Sequence, residues 1–392
     1  MTQHTDLESR IEGIAGRIRD GLRRDEPSPR QRASTTWGLG LPDRLLGGFA
    51  IAIPEALGIV DISAREYFTS AHNFLYVNAL AALEWTNELL VLRTDPYVEV
   101  EALGGSLNYP EHLQPWLAYP LLSRPADLAR CRVPNPLEDG RMPFVVQTAA
   151  LHRQYFGDLL PALVFCHSPL SLAVMMRGFR NLHEDAVRDL AFAHELLQFC
   201  CATCVSFATA ILEAGVAHLG VIAPWEALLR RDSPDIFDEL ALPYLSQLVT
   251  AASKSRGQRG PVLWSRGSTQ VSEWPDYLSV LRGCGAGALT AGEEEVFGWV
   301  HHRETGMPEL MDAVSSLGMA LVIQLSPGTI ARSSAGDLRK YIRGLFAPAA
   351  ETGGLVVTAT IPARATRASI QGFTDSVRGC RYVRPVETGT AT

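Results

Sequence analysis

Eight short apolar runs, each followed by a polar or Pro/Gly break and then by a longer stretch, constrain this chain more than any other feature. They are Phe49–Ile53, Glu88–Leu92, Ala162–Phe165, Leu219–Ile222, Pro261–Leu263, Ala286–Leu289, Ala320–Leu325 and Leu355–Val357. Most carry apolar residues at consecutive rather than alternate positions, which is the pattern of parallel strands covered on both faces. Several run into abrupt breaks, such as Ile53-Pro54-Glu55, His167-Ser168-Pro169 and Ser326-Pro327-Gly328. Between the runs lie helical stretches, the clearest being Ala186 to Gly215, with an apolar stripe and a glycine as stop signal. Eight parallel-type strands with intervening helices predict one α/β domain, a (β/α)8 TIM barrel. One sequence does not reveal strand order, so an open doubly wound sheet stays as the alternative.

Ahead of the barrel, Leu7, Ile11, Ile14, Ile18 and Leu22 recur at three- and four-residue steps, predicting an amphipathic helix. A Pro/Ser/Arg-rich joint follows, from Asp25 to Ser34. The expected organisation is therefore a helix and linker over residues 1–34, a barrel over 35–385 and a disordered tail over 386–392. The net charge of −7 argues against an electrostatic grip on nucleic acid or anionic lipid. No window offers the roughly 20 uninterrupted apolar residues of a membrane span, and Met1–Glu26 has no secretory apolar core. Seven cysteines without a paired framework fit reduced thiols in a cytoplasm.

Several segments together resemble the uroporphyrinogen decarboxylase superfamily. They are Asp95-Pro-Tyr-Val-Glu-Val-Glu-Ala-Leu-Gly104, Pro134-Asn-Pro-Leu-Glu-Asp-Gly-Arg-Met-Pro143, and Ser168-Pro-Leu-Ser-Leu-Ala173 with Arg177-Gly178-Phe179. Ile211-Leu-Glu-Ala-Gly215, Ser233-Pro-Asp-Ile-Phe237 leading to Leu242-Pro-Tyr244, and Gly353-Gly354 through Ile361-Pro362 complete the series. The superfamily joins the decarboxylase of tetrapyrrole synthesis to zinc-dependent methyltransferases that work with corrinoids. The resemblance implies a (β/α)8 barrel. The pair Glu99/Glu101 with Gly104 is closer to the methyltransferase-like branch, and the decarboxylase's Arg-rich substrate loop has only a superficial echo in Arg30-Gln-Arg-Ala33. It also implies where ligands would sit. The zinc members take a His and a Cys from the fifth strand and a Cys from the last. Here Trp264 and Arg266 fall on the first two positions and Ala359 near the third. Tryptophan offers no metal ligand and arginine is permanently cationic, so no metal and no cofactor is expected. The decarboxylase's late His also falls near Ala359, and its strand-end Ser near Pro224.

In a barrel, residues just past the strand ends converge on one bowl. Glu226 and Arg266 follow adjacent strands and are expected to carry the chemistry, with Glu226 moving a proton and Arg266 clamping a substrate carboxylate. A plain Glu226–Arg266 ion pair is the structural alternative. Trp225, Trp264, His167, Asp95, Tyr97 and Arg364 are the expected substrate-binding positions. Cys200, Cys201 and Cys204 lie inside the helical stretch beside Phe199 and Phe207 and read as packing. His301-His302, His194 and the acidic run Glu293–Glu295 read as solvated or boundary residues, and Arg367 as a surface residue.

Three functions follow from these residues. The preferred one is a metal-independent, decarboxylase- or lyase-type enzyme acting on a small organic anion, a carboxylate or tetrapyrrole-like compound. The second is a corrinoid-linked methyltransferase with altered metal ligands, partnered by a corrinoid protein. The third is a degenerate barrel serving as a binding or assembly subunit. A homo-oligomer is compatible with all three.

Overall fold

The computed structural model describes residues 2–23, 25–254, 260–264, 274–292 and 306–382. The eight strands are β1 (Leu46–Ile51), β2 (Leu89–Leu92), β3 (Ala162–His167), β4 (His218–Ile222), β5 (Val262–Trp264), β6 (Ala288–Gly292), β7 (Ala320–Leu325) and β8 (Leu355–Ile361). They form a closed barrel in sequential order, every pair parallel, with β8 returning to β1. Each of the eight apolar runs overlaps one of these strands. The open-sheet alternative is therefore excluded. The chain is a (β/α)8 barrel.

Alternation along each strand separates two apolar clusters. Leu89, Val91, Leu163, Phe165, Val262, Trp264 and Val356 pack together inside the ring. Their neighbours Leu90, Val164, Leu263 and Val357 join the much larger cluster between strands and helices. The ring is tight where β1 meets β2, since a Cβ on Gly48 would lie 2.1 Å from the Leu89 carbonyl oxygen.

Helix α1 (Thr2–Leu22) buries Ile11, Ile14 and Ile18 against the core, with Leu7 and Leu22 packed at the edge. The joint after it is not a plain linker. Ser28 caps helix α2 (Pro29–Trp37) through a capping box with Gln31, and proline occupies its first turn. That helix brings Trp37 into the interior cluster at the N-terminal end of the barrel, where its ring lies 5.1 Å from His218. It also brings in Arg32, fully buried among carboxylates. Arg32 donates to Asp43 at 2.7 Å and Glu88 at 2.6 Å, while Arg44 reaches Glu88 at 2.7 Å and Asp25 at 2.7 Å. Burial pushes the Asp43 carboxyl up, but Arg32, Arg44 and Arg381 outweigh it and hold it below its ordinary value.

The predicted stretch Ala186–Gly215 is broken at Asp189, whose side chain caps the helix Leu190–Glu213. This helix is long and apolar enough to cross a membrane, but it packs as the crossover between β3 and β4. Cys200, Cys201 and Cys204 are buried within it, and burial pushes all three thiols up, Cys201 to about 11. They pack, as expected. The expected tail, residues 386–392, lies outside the described residues.

Removing one partner of a buried ion network leaves the others uncompensated. Arg32→Ala should therefore lower unfolding stability by about 3–5 kcal/mol, read from the midpoint of urea denaturation. A change below about 1 kcal/mol would mean the network ties nothing together.

Candidate active site

The carboxyl ends of the strands bring three acid–base groups together. His167 is the last residue of β3 and continues the inward face of Leu163 and Phe165. Glu99 sits on the short helix Val98–Ala102 that follows β2, buried at 2% exposure. One Glu99 oxygen accepts the His167 backbone N–H at 2.7 Å, and the other meets His167 Nδ1 at 3.0 Å. Burial alone would push the Glu99 carboxyl up, yet its bonds to His167 hold it below its ordinary value. An ionised Glu99 assigns the proton to Nδ1 and turns Nε2 away from that carboxylate.

Glu226 follows β4, in the first turn of the helix Pro224–Asp232. It is fully buried, and neither carboxylate oxygen has a hydrogen-bond partner among the described residues. The Ser168 hydroxyl, close enough to pull this carboxyl down, caps its own helix and donates to Ser171 Oγ at 2.8 Å. Burial pushes the Glu226 carboxyl up to about 7, against weaker opposing pulls from Ser168 and His167. Near neutral pH this group is divided between acid and base. That is the property proton transfer needs.

Beside these groups, Trp264 closes the inside of the ring. It stacks edge-on to Phe165 at 5.1 Å, and the Arg93 guanidinium lies 5.5 Å above its ring. Arg93 and Gln324 both donate to the Thr360 hydroxyl, at 3.4 and 2.8 Å, and the buried Gln324 Oε1 has no partner among the described residues. Ala359 does not face this interior: its side chain belongs to the cluster under the helices, and Thr358 and Thr360 occupy the alternate positions of β8.

The remaining expected positions scatter. Trp225 turns outward and stacks on Phe179 at 4.9 Å, so it does not share a wall with Trp264. Asp95 is gripped through both oxygens by Arg141, at 2.5 and 2.9 Å, and also accepts the Tyr97 backbone N–H at 3.1 Å. Arg141 reaches Glu101 as well, at 2.5 Å, and Tyr109 donates to the same carboxylate. This grip fixes the loop after β2 and so carries Glu99 into place. Tyr97 is half-buried, and Arg364 stands exposed in the turn after β8. Arg367 is exposed as well and pairs with Glu84. His194 bonds the Tyr244 hydroxyl at 3.0 Å. Arg266, Glu293–Glu295 and His301-His302 lie outside the described residues, and with Arg266 the expected ion pair to Glu226.

Glu99, Arg93 and Arg141 received no role from the sequence. Glu99 and Glu101 alternate with valines just past a strand end, which was the one available signal. Their partners are 40 residues or more away in the chain.

A sequential parallel barrel with buried ionisable groups at its strand ends defines a TIM-barrel scaffold. Residues 56–335 match the family model for uroporphyrinogen decarboxylase (URO-D), and the chain belongs to that family. Among curated relatives, the uroporphyrinogen decarboxylase of Syntrophotalea carbinolica is 29% identical over 167 residues, covering 41% of this chain and 46% of that protein. That of Xanthomonas campestris pv. campestris is 27% identical over 207 residues, covering 51% and 55%. The chain thus matches about half the length of these relatives. A solved methyltransferase from Methanosarcina mazei superposes with a TM-score of 0.72 at 16% identity, over 89% of this chain and 98% of that one. It shares the fold.

The raised Glu226 carboxyl has a signature in stability. Unfolded, it titrates near its ordinary 4.5; folded, near 7. Between those values the folded protein keeps a proton that the unfolded chain releases, so stability falls as pH rises through this window. The loss amounts to about 3 kcal/mol, at roughly 1.4 kcal/mol per pH unit. Glu226→Gln should abolish it, matching the parent at pH 4.5 and exceeding it at pH 8 in urea denaturation. Parallel pH–stability curves for the two proteins would show that Glu226 is not desolvated.

Proposed function

We propose that this chain is a metal-independent, decarboxylase-type member of the URO-D family acting on a small organic anion. The observation that carries the proposal is the buried Glu226 carboxyl, without a hydrogen-bond partner among the described residues and with a pKa of about 7, beside the Glu99–His167 pair. Such a site supports general acid chemistry. A substrate carboxylate leaves as CO2, the bonding pair stays on the carbon, and protonated Glu226 delivers its proton there before drawing another from solvent. Glu99 is the positioning residue: it fixes the His167 ring, which faces the same space and stabilises Glu226 when that group is ionised.

The substrate's negative charge needs a cation. Arg266 is assigned this role from sequence, and Arg93 supplies a second guanidinium at the same end of the barrel. The buried Trp264, standing where the zinc members resemble one another in carrying histidine, supports a reaction without metal, cofactor or corrinoid partner. The names of the curated relatives make uroporphyrinogen the first substrate to try, with smaller aryl and heteroaryl carboxylates beside it.

The test is CO2 release from these compounds by purified protein, with and without a chelator. Activity should survive chelation and fall above about pH 7, where Glu226 loses its proton. Glu226→Gln should lower kcat by roughly 10²–10⁴-fold, and Glu99→Gln should shift the pH profile while leaving KM nearly unchanged. Full activity in Glu226→Gln, or activity that disappears with bound metal, overturns the mechanism.

A further inference from the structure

We infer that the opposite, N-terminal end of the barrel holds a second binding site, built for a flat aromatic carboxylate. A cavity of about 760 Å³ opens there, at the starts of β3, β4, β5 and β6. That volume is typical of small-molecule pockets. Its floor is the tilted pair Trp37 and His218, with ring centroids 5.1 Å apart. His218 is set so deeply that burial pushes its pKa down to about 4, yet the residue keeps accessible surface and lines the cavity. The ring is therefore neutral, and it makes no hydrogen bond among the described residues. It offers one donor and one acceptor nitrogen to an occupant.

Charge enters from one wall. The Arg153 side chain lies across Gly215, where a Cβ would come within 2.1 Å of its Cδ. Arg153 is exposed and forms no ion pair among the described residues, so its guanidinium is available to an anion. Arg30 stands on the same rim but is already matched by Asp158. His152, buried on the same wall, bonds the Leu160 carbonyl through Nε2, and its Nδ1 has no partner among the described residues. One cation without an ion pair among the described residues, over an aromatic floor, selects a monoanion with a planar ring. The site is separate from Glu226. Its floor residue His218 begins β4 and Glu226 follows that strand's end, roughly 13 Å along the four steps of the strand itself.

The experiment is calorimetric titration of the full chain with 2-naphthoate and with the uncharged 2-naphthamide. Naphthoate should bind at least tenfold more tightly than the amide. Arg153→Ala should erase that difference, His218→Phe should weaken both ligands, and Ala217→Trp should fill the cavity and remove binding. Glu226→Gln should bind naphthoate like the parent, which keeps this result independent of the decarboxylase mechanism. No binding at millimolar naphthoate, or binding indifferent to Arg153→Ala and His218→Phe, overturns the proposal. Loss of binding in Glu226→Gln would place the ligand at the other end of the barrel and overturn it equally.

Discussion

Hydrogen bonding between β1 and β8 over six residue pairs turns a row of eight strands into a ring, and the remaining features are consequences of that closure. A closed ring has only an inside and an outside, so strand alternation decides the fate of each side chain. Phe165, His167 and Trp264 are turned inward, whereas Cys166, Leu263 and Ala359 pack beneath the helices. Closure also gathers the strand ends at one mouth, where groups from β3 and from the segments after β2 and β4 meet although they are far apart in sequence. The helix α2, with Trp37, seals the interior from the other side.

Buried charge is handled in two ways in this molecule. Arg32, Arg44, Asp43 and Glu88 are buried together, and Arg141 is held by Asp95 and Glu101. Each desolvation cost is offset by an opposite charge at hydrogen-bond distance. Glu226 is treated differently. It is as deeply buried as Arg32, with no hydrogen-bond partner among the described residues, and the fold carries the cost by keeping it partly protonated at neutral pH. Structural ion networks stabilise the ends of the barrel, whereas at the strand ends Glu226 is a buried carboxyl without a hydrogen-bond partner among the described residues, whose burial raises its pKa.

The legibility of the sequence follows the range of the interactions involved. Parallel strands announce themselves locally, so apolar runs of three to six residues located all eight. The capping box Ser28-Pro29-Arg30-Gln31 was equally local, yet the surrounding Pro, Ser and Arg suggested a joint and concealed a helix. Glu226 could be picked out because it stands just past a strand end. Its environment could not, because desolvation is produced by neighbours from other strands. Glu99 needed His167, 68 residues on, before its role became visible. Ala359 shows how sharply strand parity acts: a one-residue difference in alignment moves a side chain from the mouth to the helix layer. Trp225 and Glu226 are adjacent in sequence, and the helix turns them to different surroundings.

Two histidines on neighbouring strands, His167 on β3 and His218 on β4, show how position in the ring distributes chemistry. Both are enclosed, but only His167 meets a carboxylate, and that carboxylate is delivered by a loop which Arg141 clamps through Asp95 and Glu101. His218 receives no such partner among the described residues. Burial alone acts on it, and its ring stays neutral beside Trp37. The same side chain thus sits against a buried carboxylate at one end of the barrel and, uncharged, against an aromatic ring at the other. The difference is set by whether the chain invests in a second ionised group to accompany it. Such an investment is made where loops are long enough to fold over the strand ends, as the loop after β2 does with its antiparallel ladder Leu107–Asn108 and Trp116–Leu117. The asymmetry between the two ends of the barrel is therefore electrostatic as much as topological.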